Sequence, residues 1–523
     1  MKIMKNKYIT ILSAAALLSL TGCDGFLDKL PDSRMELNDV ETISNLLVSA
    51  YAEVNPAYLF EMESDNADLC ENTGWTEASR FQRQAWEWSD ISETADPETP
   101  QELWNGYYSA IAASNAAIEY IDGLDEAEAS QYDAQLGEAL ICRAYNMFCL
   151  TNIFCMAYDP STAQTALGLP YPEKPETEVG QKYDRGTLAE VYEKIDNDIQ
   201  RGLPLVKNEY TRPKFHFNPS AAKAFATRFY LYYQKYDKAV SYATEVLGDN
   251  PAASLRNWKA LYNSDPNRMV MPEVFIKADQ TCNLLLQVVQ SEWGAIGGNY
   301  IYGDRYAHGQ AIARTETLQA SYPWGKSQLY AYVWYNNSLS KVIFRKVPYE
   351  FEYTDIQAGI GYAHSEYAVF TTDVALIERA EAYALNGQYD LALADLNTLL
   401  SVFHRSGAQL TLDQIKTFYA GEEYYTPTEA TPKKAFNTSF EIEPETQEPL
   451  LQAIIQLKRV LTLHEGMRWN DIKRYGIEIY RRTMNSNYDI TGTSDTLKPD
   501  DPRRAIQLPQ DVIYGGLEAN PRR

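Results

Sequence analysis

The chain has 523 residues and a formal net charge of −24, with 47 Lys and Arg against 71 Asp and Glu. A charge of this sign makes nucleic acid or an anionic membrane surface an unfavourable ligand, because both would be repelled. Neutral glycans, peptides or a basic protein partner remain open, and the length allows about three domains or one large helical body with loop insertions.

The N-terminus has the pattern of a secretory signal. Three lysines precede an apolar run that ends at Leu20, and this run is too short to span a bilayer comfortably. The string LTGC follows and looks like a bacterial lipobox, in which Cys23 is acylated; the alternative is a plain signal peptide with an incidental cysteine. We therefore expect residues 1–22 to be removed and residues 23–523 to form a single body anchored by lipid.

The cysteines and histidines predict neither a disulfide framework nor a metal site. Six cysteines become five once Cys23 carries lipid, and an odd number argues against full pairing. Cys142 and Cys149 lie on one predicted helix, roughly 10 Å apart along its axis, a distance that a disulfide does not span. None of the five histidines has metal-ligand spacing to another His or Cys, so we expect no metal and no cofactor.

Capping signals mark the first helices. The string Thr99-Pro100-Gln101-Glu102 is a capping box with Pro at the first helical position, and it opens a helix whose partner covers residues 131–156. A second capping box begins at Thr187, and Asn218 before Pro219 gives the N-cap of a further helix.

A tetratricopeptide-like pattern starts at Pro219 and is repeated in residues 372–402. The positions that match the repeat are Tyr230, Ala239, Ala243 and Pro251 in the first unit and Leu376, Ala380, Tyr383, Gly387 and Ala392 in the second. The units start 153 residues apart, so the repeats are interrupted rather than forming a simple solenoid. We predict a helical scaffold from residues 99–251 and 372–476.

Residues 252–371, between the two repeat units, are rich in Tyr, Trp and Gly. Strand-like runs such as LLLQVV and KVIFRKV predict an irregular, loop-rich insertion that carries short strands. Residues 424–449, with Pro, Thr and Glu throughout, predict an exposed loop.

The string EGMRWNDIKRYG, residues 465–476, follows an apolar helix whose first turn suits Pro449. Gly466 supplies the backbone freedom for a turn. Charged residues of both signs surround Trp469 in the string, which predicts a knot of paired charges around a buried ring. A catalytic alternative would use Glu465 and Asp471, but buried carboxylates and arginines usually satisfy each other.

Together with the ending IQLPQDVIYGGLEANPRR, these features resemble the SusD/RagB family of surface lipoproteins. The lipobox entry, the first helical hairpin with its string EALICRAYNMFCL, the interrupted repeats and the C-terminal string carry the resemblance over nearly the whole mature chain. It implies a mostly α, SusD-like fold in which a SusC-like TonB-dependent transporter is the partner and the protein lies on it as a lid.

The resemblance also implies that ligand contacts come from the loop ahead of the first hairpin and from the insertion, here residues 66–88 and 293–334. Loops on a rigid scaffold carry recognition, and glycans are gripped by exposed aromatic faces with a few polar groups. The predicted ligand-binding residues are Asn72, Trp75, Arg80, Trp86, Trp293, Tyr300, Tyr302 and Trp324. Alternatively these aromatics are core residues: alternation in AWEWS puts Trp86 and Trp88 on one face of a strand, whereas the polar run around Trp75 favours exposure.

No motif of the usual enzyme classes is present, so we predict a binding protein and not an enzyme. Glycosidase carboxylates have no fixed spacing, which keeps a glycan-degrading enzyme as an alternative. A scaffold that binds only proteins would explain the repeats but not the Trp-rich insertions. We predict a lipid-anchored protein of the outer membrane that captures glycans at the cell surface and passes them to the transporter; a peptide-binding RagB-type protein is the other alternative.

Overall fold

The computed structural model describes residues 39–70, 76–94, 96–176, 181–264, 271–299, 303–331, 333–336 and 341–522. Residues 44–523 belong to one compact unit, and the described residues 39–43, which include the start of the first helix, belong to another. The signal segment and the predicted site residues Cys23, Asn72, Trp75, Tyr300 and Tyr302 lie outside the described residues. Within the described ranges, no helix is long and apolar enough to cross a membrane.

Helices dominate the described chain, which confirms the prediction of a mostly α fold. In chain order they are α1 (Val40–Val48), α2 (Ala57–Glu63), α3 (Arg80–Trp86), α4 (Pro100–Asp122), α5 (Glu126–Ala129), α6 (Asp133–Phe154), α7 (Leu188–Gly202), α8 (Pro219–Tyr232), α9 (Tyr236–Leu247), α10 (Pro251–Ser254), α11 (Trp258–Ser264), α12 (Met271–Phe275), α13 (Gln310–Thr315), α14 (Thr372–Leu385), α15 (Tyr389–Phe403), α16 (Leu412–Ala420), α17 (Gln447–Leu461), α18 (Met467–Arg474) and α19 (Gln510–Tyr514). Short 3-10 turns cover Ser130–Tyr132, Pro213–Phe215 and Pro502–Arg504, and a π-helical turn covers Gly294–Asn299.

The strands are short and pair antiparallel. They are β1 (Asp68–Leu69), β2 (Asn283–Gln290), β3 (Tyr306–Ala307), β4 (Val333–Asn336), β5 (Lys341–Phe344), β6 (Glu350–Asp355), β7 (Ile360–Thr371), β8 (Ile479–Met484) and β9 (Ile490–Leu497). β1 pairs with β3, β4 with β5 and β8 with β9, while β2, β7 and β6 form a three-stranded sheet in that order. The run LLLQVV lies in β2 and KVIFRKV begins with β5, so both predicted strands are confirmed.

Helix α4 begins as its capping signal predicts. The Thr99 side chain accepts a hydrogen bond from the backbone N–H of Glu102, and Pro100 is the first helical residue. Helix α6 packs against α4 on one side and α7 on the other. The buried Arg143 on α6 forms a two-pronged ion pair with Asp198 on α7, with both N···O distances at 2.7 Å. This planar match of guanidinium and carboxylate fixes the relative position of the two helices.

The two repeat units stack directly on each other, although the insertion separates them in the sequence. Helix α9 of the first unit packs against α14 of the second, and small residues such as Ala243 and Ala380 are fully buried. Arg228 on α8 pairs with Glu378 on α14 at 2.7 Å, and Arg379 donates a hydrogen bond to Thr244 at 3.1 Å. The insertion therefore interrupts the repeats in sequence but not in space.

One ribbon of the insertion projects from the body. Strand β6 is exposed along its whole length, and the tip of its hairpin with β7 is also exposed. Phe351 and Tyr353 stack edge to face at 4.9 Å on this ribbon, and the Tyr362 hydroxyl donates to Glu352 at 2.9 Å. Strands β2, β3 and β5 of the insertion, by contrast, are largely buried.

The segment predicted to be an exposed loop, residues 424–449, needs two corrections. Its last residues belong to α17, which begins at Gln447. Lys434 is buried within it and forms an ion pair with Glu316 of the insertion. A buried lysine requires a charged partner, so the Lys434–Glu316 pair holds this segment against the insertion.

The C-terminal string forms the predicted turn and charge knot. Gly466 adopts a φ of 76°, and a Cβ there would lie 2.6 Å from the Cα of Ala57, so only glycine fits. Trp469 is fully buried in α18. The ion pairs of the knot are Arg468 with Asp65, Asp471 with Lys458, Arg474 with Glu381 and Asp471, and Glu465 with Lys346. Most of these partners lie outside residues 465–476, and the sequence of the string alone did not predict them.

Candidate ligand-binding site

The structure brings together the two segments that were predicted to carry the ligand. Strand β1 of the first segment pairs with β3 of the second, with Leu69 opposite Tyr306. The pairing continues beyond β1, where the Cys70 N–H donates to the Arg305 carbonyl at 2.7 Å. The Arg305 N–H in turn donates to the Thr76 carbonyl at 3.3 Å. The chain on both sides of residues 71–75 is thus attached to the same residue of the insertion.

Gln82 on α3 links the two segments through further hydrogen bonds. Its side-chain amide donates to the carbonyls of Gly303 at 2.8 Å and Tyr306 at 3.0 Å, and its oxygen accepts from the N–H of Ala78. Gly303 has a φ of 67°, and a Cβ there would lie 2.9 Å from both the Ala78 Cβ and the Gln82 amide nitrogen. Glycine is therefore required for this close approach.

Trp86 and Trp293 lie beneath this junction and not on its surface. They are 5% and 3% exposed, and their indole N–H groups donate to the carbonyls of Ala67 and His464. The Trp86 ring contacts Tyr306 at a centroid distance of 4.9 Å, and Trp293 stacks on Tyr58 at 4.9 Å. The prediction that these two rings face a ligand is corrected: with covered faces and satisfied N–H groups they form the packed base of the junction.

The strand interpretation of AWEWS is also wrong. Trp86 is the last residue of α3, and Trp88 follows the helix with a φ of 51°. Both rings are nevertheless buried, because the turn after the helix places the Trp88 indole over Arg481 and lets it donate to the Glu63 carbonyl at 2.8 Å. Burial was one of the two alternatives that the sequence left open.

Trp324 is not part of the junction. It is 4% exposed, stacks on Tyr322 at 4.8 Å, and its carbonyl lies 3.0 Å from Nε2 of His404 at the end of α15. Tyr322 itself is hydrogen-bonded to Gln456 of α17. Trp324 therefore packs the insertion onto the helical scaffold, which corrects its assignment to the ligand face.

Arg80 is the described predicted site residue that remains accessible. Its side chain is 55% exposed and lies 3.2 Å from Glu93, while the neighbouring Arg83 pairs with Glu77 at 3.4 Å. Exposed ion pairs of this kind contribute little to stability, so these side chains can be redirected at low cost. They form a polar rim beside the point where the two segments meet.

The exposed rings of the ribbon, Phe351, Tyr353 and Tyr362, were not among the predicted site residues. The string EFEY, residues 350–353, alternates acidic and aromatic side chains, the period of a strand with two distinct faces. That alternation was a usable signal, but the local sequence does not show that the body leaves both faces of the strand uncovered. The ribbon is a second surface of the insertion with aromatic faces open to solvent.

Glu98 anchors the start of the second ligand segment. Its carboxylate accepts a hydrogen bond from the backbone N–H of Glu292 at 3.0 Å, and the side chain is buried. Burial raises the pKa of Glu98 to about 8. The nearby carboxylates of Glu292 and Asp96 also raise this pKa, while hydrogen bonds with the Ser291 side chain and the Glu292 backbone lower it. The folded chain therefore favours the protonated form of Glu98.

We expect Glu98→Gln to make the protein more resistant to alkaline pH. A carboxyl whose pKa is raised on folding contributes its full stability below the unfolded pKa of about 4.5, and this contribution is lost as the pH rises through about 8. Glutamine stays neutral, so the free energy of unfolding of the variant should exceed that of the wild type by on the order of 3 kcal/mol at pH 9. Urea unfolding of both proteins at pH 5, 7 and 9 measures this difference; an unchanged difference across the series would contradict it.

Comparisons with known proteins agree with this architecture. Residues 25–231 match the family model SusD-like_3, described as starch-binding associating with outer membrane. No curated protein matches the chain. A SusD superfamily protein from Bacteroides thetaiotaomicron VPI-5482 is 19% identical with a TM-score of 0.63, and the match covers 93% of this chain and 100% of that one.

Two further solved structures come from Bacteroides vulgatus ATCC 8482. A putative sugar binding protein is 17% identical over 92% of this chain and 97% of its own, with a TM-score of 0.63. A SusD-like carbohydrate binding protein is 15% identical over 91% and 96%, with a TM-score of 0.57. At these identities the likeness shows the fold, which is the predicted mostly α, SusD-like fold with a short-stranded insertion.

Proposed function

We propose that this chain, a SusD-like protein by the family model over residues 25–231 and by its fold, binds carbohydrate at the outer membrane. The description of the family model names starch binding and the outer membrane, and two proteins of the same fold are named for sugar or carbohydrate binding. The net charge of −24 favours neutral glycans over anionic ones. Attachment through a lipid on Cys23 and delivery to a SusC-like TonB-dependent transporter are parts of this proposal.

The observation that carries the proposal is the convergence of residues 66–88 and 293–306. Backbone pairing through Arg305 and the two hydrogen bonds of Gln82 hold these segments together above buried rings. A rigid base that positions loops of mixed aromatic and polar composition is the usual construction of a ligand site. We assign the ligand contacts to Asn72, Trp75, Tyr300 and Tyr302, with Arg80 at the rim.

We further propose that the ligand is captured without being cleaved. Two carboxylates of the C-terminal knot, the buried Asp471 and the half-buried Glu465, are engaged by Lys458 and Lys346. Such pairs hold the carboxylates in place by mutual neutralisation rather than leaving them free to protonate a glycosidic oxygen.

Trp75→Ala should weaken glycan binding at least tenfold, about 1.4 kcal/mol, while the melting temperature stays at the wild-type value. The reason is that Trp75 stands in a polar run and is expected to offer its ring to a sugar face. Calorimetric titration of the mature protein against a panel of neutral polysaccharides measures the affinity, and a reducing-end assay in the same samples measures cleavage.

The matched control is Tyr514→Ala, because Tyr514 is an aromatic residue that is 84% exposed on α19, outside the two ligand segments in the sequence. It should bind as the wild type does. Release of new reducing ends would show an enzyme instead, and a lowered melting temperature of Trp75→Ala would make Trp75 a packing residue. Heat with peptides but not with polysaccharides would replace carbohydrate by peptide as the ligand.

A further inference from the structure

Exposed apolar side chains are concentrated on the ribbon that projects from the body. The described chain exposes twelve large apolar side chains, and six of them lie within residues 349–362. These six are Tyr349, Phe351, Tyr353, Ile356, Ile360 and Tyr362. A single exposed apolar residue is normal in a folded protein, but a group of this kind marks a surface on which another molecule docks.

The outer edge of β6 has no partner strand in the described part of the chain. Among these residues, β6 is the last strand of the sheet β2–β7–β6, and it pairs with β7 on its inner side. All of its residues are exposed. The edge of a sheet presents backbone N–H and C=O groups with which an extended segment of another chain can pair. The ribbon therefore offers backbone hydrogen bonds as well as apolar side chains.

One face of the ribbon is acidic. Glu350 and Glu352 share this face, because alternate residues of a strand point to the same side. Nε2 of His364 lies 2.9 Å from Glu350, and burial together with this carboxylate raises the pKa of Glu366 on β7 to about 7. The strands β2, β6 and β7 contain four Asp and Glu but no Lys or Arg. A cationic partner would supply the positive charge that these strands lack.

The other face of the ribbon is aromatic. Phe351 and Tyr353 lie on it, with the small residues Ala363 and Gly361 opposite them on β7. A Cβ at Gly361 would lie 2.8 Å from the Phe351 ring, so this ring lies directly against the backbone of β7. Phe351 is 38% exposed and Tyr353 is 55% exposed. A strand added beside β6 would bring every second side chain against these two rings.

We propose that the outer edge of β6 binds an extended, basic segment of another protein by strand addition. The alternation of β6 then determines the sequence of that segment. Lys or Arg at every second position faces Glu350 and Glu352, and the apolar residues between them face Phe351 and Tyr353. This interaction goes beyond the proposed function, because β6 lies outside the two segments to which the glycan contacts are assigned.

A second copy of this chain is a poor occupant of the same edge. In an antiparallel pairing of two β6 strands the acidic faces coincide, so Glu350 and Glu352 of one copy lie opposite those of the other. Like charges directly opposite each other destabilise a sheet. A parallel pairing would instead place these carboxylates beside the electron-rich rings of Phe351 and Tyr353. The acidic residues thus oppose self-pairing and favour a partner of opposite charge.

The probe for this interaction is a synthetic hexapeptide that alternates lysine and valine, added to the full mature protein at low ionic strength. Strand addition engages the outward backbone N–H groups of β6, so hydrogen–deuterium exchange in residues 350–355 should slow by about fivefold. The control peptide has the same composition and charge, with three lysines followed by three valines, and should leave this exchange unchanged. Equal slowing by both peptides would show general attraction to a chain of net charge −24 and would overturn strand addition.

Glu352→Lys should lower the affinity for the alternating peptide by about tenfold, because a like charge replaces an opposite one across the added strand. The melting temperature should stay at the wild-type value, since the residue is exposed. The matched control is Glu193→Lys, which makes the same charge change at an exposed position of α7 and should bind as the wild type does. Equal affinities in the two variants would overturn the role of the acidic face.

Reversal of the charge preference tests the same face without relying on a loss of binding. The double variant Glu350→Lys/Glu352→Lys should bind a hexapeptide that alternates glutamate and valine more tightly than the lysine–valine peptide. Misfolding cannot produce such a reversal. A double variant that still prefers the lysine–valine peptide would contradict the proposed site.

Other occupants of the edge would give different results in the same exchange experiment. Slowed exchange of residues 350–355 with a neutral polysaccharide, or in the free protein as its concentration rises, would identify a glycan or a second copy and overturn the proposal. Glu352→Lys should keep the heat of polysaccharide binding, and Trp75→Ala should keep the affinity for the alternating peptide. This interaction and the proposed function therefore fail separately.

Discussion

Asp65→Ala should destabilise the protein by about 3–5 kcal/mol, the loss that follows when one partner of a buried ion pair is removed. Asp65 is buried between α2 and β1 and accepts two hydrogen bonds at 2.8 Å from Arg468. Arg459 lies 3.3 Å from it and Lys434 lies 3.7 Å away. Burial alone would raise the pKa of Asp65, but these cations outweigh it and hold the pKa well below its ordinary value.

Without Asp65, Glu316 would be left to balance Lys434, Arg459 and Arg482. Asp65→Asn should cost nearly as much as alanine, because the amide keeps the shape but not the charge. Asp249→Ala, at an exposed position, is the control and should stay within about 0.5 kcal/mol of the wild type. Urea unfolding at pH 7 measures all three, and a wild-type midpoint for Asp65→Ala would show that the cluster carries no stability.

Trp469→Ala should cost about 3–5 kcal/mol, as truncation of a buried tryptophan does. Trp469 is fully buried in α18, which packs against α2 and α17, so the cavity would open beside the charge cluster. The indole N–H has no hydrogen-bond partner in the described chain. Trp469→Phe therefore loses ring volume but no hydrogen bond, and it should cost clearly less than alanine.

Thermal and urea unfolding of both variants provide the measurement. Equal losses of stability in Trp469→Phe and Trp469→Ala would show that the indole N–H makes a stabilising hydrogen bond. A wild-type melting curve for Trp469→Ala would refute the packed ring at the centre of the knot.

Local signals in the sequence predicted the features that depend on a few neighbouring residues. Thr99 with Pro100 marks a helix start whether or not the rest of the chain is known, and Gly466 marks a turn because its backbone conformation excludes other residues. The repeat positions were predicted in the same way, since small residues at fixed spacing are what two packed helices require.

Partners far apart in the chain could not be predicted in this way. Arg468 and Asp65 are 403 residues apart, and nothing in the string around Arg468 identifies the carboxylate with which it pairs. Trp86 and Trp324 show the same limit on the predicted ligand face. An aromatic residue in a polar, loop-rich stretch has the same local sequence whether a neighbouring segment covers it or not, so exposure is decided by the tertiary structure.

The long-range cluster also sets the order in which the chain can fold. Arg459, Arg468 and Arg481 reach back to residues 62–67, so Asp65 lacks its arginine partners until residues about 400 positions further along the chain are in place; Arg468 is 403 residues away. Contacts of such separation close late and make folding slow. A chain that lacks residues 459–481 would therefore leave Asp65 and the neighbouring carbonyl groups without these partners and stay incompletely packed around residues 62–67.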